Sequence, residues 1–168
     1  MIVNREATMT ANDDVPPCMI FIDKEGRWFH KGAEMIHRET ILLFYQHMSL
    51  DSQGRYIITL EGERCYVEVE DTPFIVRRVR FKDSSQGDTS GYILSLSDDT
   101  EENLYPETLT VGLGNVLYCR VKDHAFPARF DRPAYYQLAQ HIEEREGAYV
   151  LPLNGKDYPI RNKNEGPS

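Results

Sequence analysis

The chain has 168 residues, of which 40% are hydrophobic and 27% are charged, an ordinary balance for a folded protein with a sizeable core. Its formal net charge of −8 argues against non-specific attraction to a nucleic-acid backbone. No window approaches the ~20 continuous apolar residues of a membrane helix. Ten tyrosines and seven phenylalanines favour a β-rich protein.

The cysteines and histidines show no metal-binding or disulfide pattern. Cys18, Cys65 and Cys119 are isolated and odd in number, and they form no CxxC pair. No HExxH or HxH pair is present, so we predict no metal and no cofactor. The cysteine usage therefore predicts a protein of a reducing cytoplasm.

The first half of the chain has the pattern of two hairpins around one helix. Residues 1–17 are polar and are predicted to form a disordered tail. Strands 18–22 and 27–30 flank a turn at Asp23–Gly26, and strands 55–60 and 64–70 flank a turn at Glu61–Gly62. Between the hairpins, apolar residues at i, i+3, i+4 and i+7 predict a helix of about three turns with one buried face, formed by Ile41, Phe44, Tyr45 and Met48.

The middle of the chain combines a basic strand with an acidic run. Strand 73–81 and return strand 91–96 are followed by acidic residues at 98–102, a strand at 108–111 and a predicted hairpin turn at 111–115. The basic side chains are Arg77, Arg78, Arg80 and Lys82. They either hold phosphate or are neutralised by the acidic run, and the sequence favours mutual salt bridges.

The second half repeats the hairpin and helix patterns. After strand 116–121, Asp131 is a good N-cap and Pro133 suits a first helical turn. The expected buried helix face is Tyr135, Leu138, Ala139 and Ile142. We expect Gly147 to end this helix, strands 148–153 and 156–160 to follow, and residues 161–168 to form a polar tail.

The two halves superpose by a nearly constant shift in sequence. A shift of 94 carries His30 onto His124 and Arg38 onto Arg132, and after the helix a shift of 93 carries Gly62 onto Gly155. We therefore predict an internal duplication of a hairpin–helix–hairpin unit, over about 26–70 and 116–161. The predicted fold class is α+β, with two lobes and mostly antiparallel sheet.

Three segments resemble a bacterial family known as domain of unknown function 1285. They are DxxGRWFHxG at 23–32, VEDTPF at 69–74 and RPAYYxL at 132–138. The resemblance covers about residues 20–160. It implies two lobes of repeated motifs, a second lobe loosely like a pleckstrin-homology barrel, a groove between the lobes, and a suggested role in signal transduction without an established reaction.

These observations lead to a functional hypothesis. We expect an N-terminal lobe at 18–72, a C-terminal lobe at 73–160, and a cytoplasmic bacterial module that binds a small molecule, such as a nucleotide-like one, or a protein partner between the lobes. We expect no nucleic acid and no membrane as partners. The candidate ligand-binding residues are Trp28, His30, Arg38, Glu70, Asp71, Arg132 and Tyr136.

Each candidate residue also has a structural interpretation. Trp28 and His30 stand beside Gly32 and suit stacking on a planar ring, but Trp28 is equally a core residue and His30 a partner for a turn carbonyl. Arg38 and Arg132 oppose their helix dipoles, so they either pair with Glu70 or Asp71 or reach an anionic ligand.

Asp71 has a further interpretation of its own, as a turn cap that accepts from a downstream backbone amide. Two other functions stay open: a hydrolase or transferase that uses His30 with Asp71 or Glu70, and a purely structural adaptor.

Overall fold

The computed structural model of the chain describes residues 15–84 and 89–164. Over these residues the chain forms two units: a first unit of 15–23 and 27–70, and a second unit of 24–26 and 71–164. The described part contains two α-helices and three sheets, of six, seven and three strands, and none of these sheets closes on itself. The α+β class with mostly antiparallel pairing is confirmed. Most of the predicted N-terminal tail, residues 1–14, lies outside the described residues.

The first unit is one six-stranded sheet and one helix. The strands, in the spatial order β3-β2-β1-β6-β5-β4, are antiparallel except for β1 and β6, which run parallel. Its elements are β1 (Pro17–Ile22), β2 (Trp28–His30), β3 (Ala33–Glu34), α1 (Arg38–Gln46), β4 (Met48–Leu50), β5 (Tyr56–Leu60) and β6 (Glu63–Val69).

The core of the first unit forms where α1 meets the sheet. Ile41 and Tyr45 of α1 are buried, as predicted, and Trp28 is only 2% exposed. The indole Nε1 of Trp28 donates to the Tyr45 hydroxyl at 3.2 Å, so the one polar atom of the indole is satisfied inside the core. Met48 is buried too, but its predicted place on the helix is wrong: Met48 begins β4 and pairs with Ile58.

A disulfide bond between Cys18 and Cys65 joins β1 to β6. The prediction that the cysteines form no disulfide is therefore wrong. The two residues are 47 positions apart, and only the parallel pairing of β1 with β6 makes them neighbours, which cysteine spacing does not reveal. Disulfides persist in oxidising compartments, so the cysteines no longer support a reducing cytoplasm. Cys119 is free and buried, and burial raises the pKa of its thiol.

The second unit contains the other two sheets and one helix. The seven-stranded sheet has the order β16-β10-β11-β12-β7-β8-β9, and β13, β14 and β15 form an antiparallel meander. Its elements are β7 (Phe74–Lys82), β8 (Gly91–Leu96), β9 (Glu101–Asn103), β10 (Thr110–Val111), β11 (Leu117–Val121), β12 (Phe126–Phe130), α2 (Arg132–Ala139), β13 (Glu143–Arg145), β14 (Ala148–Leu153), β15 (Lys156–Pro159) and β16 (Arg161–Asn162).

Helix α2 begins as predicted but ends earlier. The Asp131 carboxylate accepts from the backbone N–H of Ala134 at 3.0 Å, which confirms the N-cap. The buried residues of α2 are Ala134 and Leu138, whereas Tyr135 is half-buried and Ile142 lies beyond the helix. The helix does not extend to Gly147, because residues 143–145 pair with β14 instead. Arg161 and Asn162, predicted as tail, form β16 beside β10.

The basic strand and the acidic run pair only in part. Arg80 contacts Glu101 at 3.2 Å, as predicted. Arg77 instead lies 3.6 Å from the cap Asp131, and Asp98 contacts Lys122 at 2.6 Å. The acidic run is therefore shared between β7 and the loop after β11.

Each helix is followed by a three-stranded meander with the same register. Ile57 pairs with Tyr66 in the first unit, and Val150 pairs with Pro159 in the second, a shift of 93 for both partners. The hairpin turns also correspond: Glu61–Gly62 and Asn154–Gly155 all have positive φ, the geometry of a two-residue hairpin turn. The hairpins before the helices do not share a register.

Candidate functional site

A concave pocket of about 710 Å³ lies within the first unit, between α1 and one face of its sheet. We call it the apolar pocket, because most of its lining is apolar. Its volume falls in the range of small-molecule sites. It is lined by Pro16, Cys18, Ile20, His30, Met35, Thr40, Phe44, Ile58, Leu60, Glu63, Arg64 and Cys65.

The period of the β-strand explains the apolar lining. Alternate residues of a strand share one face, so Ile58 and Leu60 of β5 both face the pocket. Cys18 and Ile20 of β1 line it as well. Cys65 lies directly opposite Ile58 in the β5–β6 ladder, and both side chains reach the pocket. The sheet therefore supplies a continuous apolar floor from three neighbouring strands.

Helix α1 supplies the opposite wall through Thr40 and Phe44, which are four residues apart and so share a helix face. The Phe44 ring stacks on Trp28 with 6.2 Å between ring centroids. Trp28 itself does not line the pocket. Of its two interpretations, burial and the bond to Tyr45 favour the core residue: Trp28 supports the pocket wall from behind.

The polar groups of the apolar pocket are His30, Thr40, Glu63 and Arg64. The Thr40 hydroxyl lies 3.0 Å from Nδ1 of His37. The exposed His30 ring makes no hydrogen bond or ion pair with any residue in 15–84 or 89–164. Among these residues it therefore satisfies no turn carbonyl.

The disulfide forms one edge of the apolar pocket, at a place where strand pairing is interrupted. Pro17 pairs with Tyr66 and Phe21 pairs with Glu68, so the residues between them on β1 form an irregularity in the parallel ladder. Met19, inside that irregularity, has a positive φ of 61°. Cys18 lies inside this irregularity, so its bond to Cys65 joins the two strands there.

In the second unit, Asp71 is the acceptor of a partly buried polar network. The Tyr118 hydroxyl donates to its Oδ2 at 2.7 Å, and Nη1 of Arg129 donates to the same atom at 2.9 Å. Nζ of Lys163 lies 3.9 Å from Oδ1. The predicted turn cap for Asp71 is wrong, because these partners lie 47 or more residues away in sequence. Thr72 makes the local bond instead, donating to the Phe74 carbonyl at 2.8 Å.

This network fixes the protonation of Tyr118. Burial raises the pKa of the Tyr118 phenol to about 12, and its hydrogen bond to the Asp71 carboxylate adds to the shift. The phenol therefore stays a hydrogen-bond donor to a higher pH than an ordinary tyrosine does.

A smaller pocket of about 290 Å³ lies in the second unit at the start of α2. We call it the arginine pocket. It is lined by Gly114, Asn115, Val116, Leu117, Arg129, Phe130, Arg132, Tyr135 and Tyr136. Tyr136 is 59% exposed, and its ring meets that of Tyr135 edge to face at 5.4 Å.

The Arg132 guanidinium is exposed and makes no hydrogen bond or ion pair within the described part of the chain. The alternative in which Arg132 pairs with Asp71 is therefore wrong, because Arg129 occupies that carboxylate.

The seven predicted residues are distributed over both units. His30 lines the apolar pocket, Arg132 and Tyr136 line the arginine pocket, and Asp71 holds Arg129 of the same pocket. Arg38 and Glu70 are exposed and line neither pocket.

The sequence analysis missed the apolar lining, the disulfide and Arg129. Residues such as Ile20 and Ile58 are indistinguishable in sequence from ordinary core residues. The alternation of Phe126, Ala128 and Phe130 predicts a strand whose other face carries Arg129, and that pattern could have indicated this residue.

Neither pocket offers a metal-ligand set. Across the described residues, no group of three or more His, Cys, Asp or Glu side chains is placed to hold a metal ion. None of the described helices is long and apolar enough to cross a membrane.

Two crystal structures have a fold similar to that of this chain. A crystal structure of a DUF1285 family protein from Silicibacter pomeroyi DSS-3 matches with a TM-score of 0.71 and 18% sequence identity, over 88% of this chain and 81% of that one. A DUF1285 family protein from Shewanella baltica OS155 matches with a TM-score of 0.58 and 18% identity, over 73% of this chain and 91% of that one. The chain has a DUF1285-like fold.

The DUF1285-like fold confirms the family resemblance that the sequence predicted. At 18% identity the likeness establishes the fold alone and assigns no activity. No family model and no curated protein matches the chain.

Proposed function

We propose that this protein is a ligand-binding module whose apolar pocket takes up a small, mainly apolar molecule. The observation that carries the proposal is the pocket itself: a concavity of about 710 Å³ with a mostly apolar lining inside a single unit. Sites for small molecules are typically pre-formed, apolar and edged by a few polar groups, and this pocket has each of these properties.

The lining also defines the kind of ligand. Ile20, Ile58 and Leu60 offer only apolar surface, so the bulk of the ligand is a hydrocarbon or an aromatic ring system. The unpaired His30 ring is available to one hydrogen-bonding group of that ligand. A triphosphate or a nucleotide fits this lining poorly, because burial of its charge would go largely uncompensated. A role in signal transduction, as suggested for the family, would consist of sensing such a molecule.

An uncharged fluorescent probe tests the proposal. N-phenyl-1-naphthylamine is apolar, carries no charge and brightens when it leaves water, so it is suited to the apolar pocket and unsuited to the arginine pocket. We expect saturable binding to the full chain and an upward shift of its melting temperature. A probe at ~100 times its dissociation constant stabilises the folded state by about 2.7 kcal/mol.

A matched pair of variants locates the binding. Leu60→Trp places an indole into the pocket, whereas Leu50→Trp makes the same change on a strand of the same sheet at a residue that is 40% exposed and does not line the pocket. We expect Leu60→Trp to weaken probe binding about tenfold or more, and Leu50→Trp to leave it unchanged. Equal binding by both variants and the wild type, or no binding by the wild type, contradicts the proposal.

We also infer that the helix and the following meander of the two units arose by duplication. Two observations support this inference. In the sequence, a shift of 94 and then of 93 carries one half of the chain onto the other. In the structure, a shift of 93 carries both partners of the β5–β6 pairs onto those of the β14–β15 pairs. The likeness of the second lobe to a pleckstrin-homology barrel stays a prediction of the family resemblance.

A further inference from the structure

We propose that the arginine pocket is a second binding site and that its ligand is a small oxyanion, either a phosphate or a carboxylate. This site lies within the second unit and differs in chemistry from the apolar pocket. The proposal rests on the charge, the hydrogen-bonding capacity and the size of the pocket.

The charge of the arginine pocket is unbalanced. Two guanidinium groups, those of Arg129 and Arg132, line about 290 Å³ in a chain with a net charge of −8. Arg132 has no counter-ion among the residues that the structure describes. Because Arg129 is paired with Asp71, the uncompensated charge of the pocket is that of Arg132, and a bound anion would neutralise it.

The nearby carboxylates are engaged elsewhere. Asp71 accepts from Arg129 and Tyr118 and also has Lys163 at 3.9 Å. The Asp131 carboxylate accepts from the Ala134 N–H and lies 3.6 Å from Arg77. Neither carboxylate pairs with Arg132. Since the Ala134 amide is already bonded, the proposal does not depend on the N-terminus of α2.

Arg129 is held in place and still has N–H groups of its guanidinium that can donate to a ligand. Its guanidinium uses Nη1 on Asp71, and its backbone N–H donates to the Thr72 hydroxyl at 3.1 Å. A guanidinium carries five N–H donors in a rigid fork, so most of those of Arg129 are left for a ligand. Forked donors match the paired oxygens of a phosphate or carboxylate.

The pocket size limits the ligand. About 290 Å³ accommodates one oxyanion with a small organic group and is too small for a polyphosphate nucleotide. Tyr135 and Tyr136 add aromatic rings to the lining, and Gly114 and Asn115, both at positive φ, contribute the turn before β11.

Calorimetric titration of the full chain at low ionic strength tests the proposal with four probes: inorganic phosphate, phenyl phosphate, benzoate and uncharged phenol. We expect binding of at least one oxyanion and none of phenol. The strongest of the three oxyanions identifies the source: inorganic phosphate a free ion, phenyl phosphate a phosphate ester, and benzoate a carboxylate. Added salt should weaken the binding.

Two charge-matched variants make the titration specific. Arg132→Gln removes an unpaired pocket guanidinium, and Arg78→Gln removes an exposed one on β7 that does not line the pocket. Loss of a charge-assisted contact predicts about 10- to 100-fold weaker binding for Arg132→Gln. Arg78→Gln should change the affinity less than twofold. Equal effects of the two variants, binding of phenol as tight as that of the oxyanions, or no oxyanion binding by the wild type overturns the proposal.

Discussion

The apolar pocket and the arginine pocket show two different ways of building a site within one chain. The first is formed by alternate apolar side chains of three strands and is fixed at one edge by the Cys18–Cys65 bond. The second is formed by charged and aromatic side chains, and Arg129 is fixed there by its hydrogen bond to Asp71. The first should therefore respond to reduction, and the second to pH and salt. The predictions below test this difference.

The largest expected effect is that of removing the disulfide. Cys18→Ser combined with Cys65→Ser should lower the free energy of unfolding of the first unit by about 4 kcal/mol, because the bond closes a long loop with a separation of 47 residues. Urea denaturation of the wild type with and without a thiol reductant measures the same quantity. The apolar pocket should also lose affinity for its probe.

The control for this experiment is the reductant itself. It should have no effect on the double-serine variant, in which only the buried Cys119 remains. A wild type whose urea midpoint is unchanged by reductant would mean that the bond does not stabilise the unit.

The next effect concerns the Asp71 network of the second unit. Asp71→Asn replaces a carboxylate that accepts from Tyr118 and Arg129 and should lower the free energy of unfolding by about 2 kcal/mol. Glu144→Gln, an exposed residue on β13, is the matched control and should change it by less than about 0.5 kcal/mol. Equal unfolding midpoints for the two variants would exclude a stabilising role for the network.

The pKa of Tyr118 predicts an alkaline pH dependence. The folded chain keeps this phenol protonated up to a pKa of about 12, above the ordinary value of 10.0. Below the ordinary value the stabilisation is fully present, and it is lost as the pH rises towards 12. The stability difference between the wild type and Tyr118→Phe should therefore shrink over that interval.

Spectrophotometric titration of tyrosinate checks the Tyr118 prediction. Burial also raises the pKa of Tyr92, so the wild type should show one more late-titrating tyrosine than Tyr118→Phe. Identical titration curves, apart from a loss at the ordinary pKa, would show that the phenol is not held by Asp71.

The smallest effect tests the two meanders. Gly62 and Gly155 occupy the same turn position with φ of 84° and 77°, and a Cβ on either would meet nothing within 4 Å. Gly62→Ala and Gly155→Ala should each cost about 1 kcal/mol, since only the left-handed backbone opposes alanine. Thermal unfolding should show equal costs in the two units; a cost at one position only would weaken the case for duplication.

Local chemistry explains what the sequence predicted well. The correct predictions depend on residues that are only a few positions apart in the sequence. They are the hairpin turns at 61–62 and 154–155, the Asp131 cap and the buried Ile41 and Leu138. The failures depend on distant pairing. Met48 and Ile142 continue the helical spacing in the sequence. In the structure, Met48 pairs with Ile58 in a strand, and a strand begins directly after Ile142.

The candidate site was predictable only where a residue's type was unusual for its place. Arg132 begins α2, where a cation opposes the helix dipole, and His30 ends β2 close to Gly32, so the sequence already marked both as binding candidates. The apolar pocket was not predictable, because its lining consists of residues that a core also requires. The disulfide was not predictable either, since it depends on the parallel pairing of β1 with β6.

Methyl NMR of the full chain tests the central claim most directly. Saturation with N-phenyl-1-naphthylamine should shift the methyl signals of Ile20 and Ile58, which line the apolar pocket, and leave those of Ile93 and Ile142 in the second unit unchanged. Unchanged Ile20 and Ile58 signals at saturation, or shifts confined to the second unit, would contradict the account.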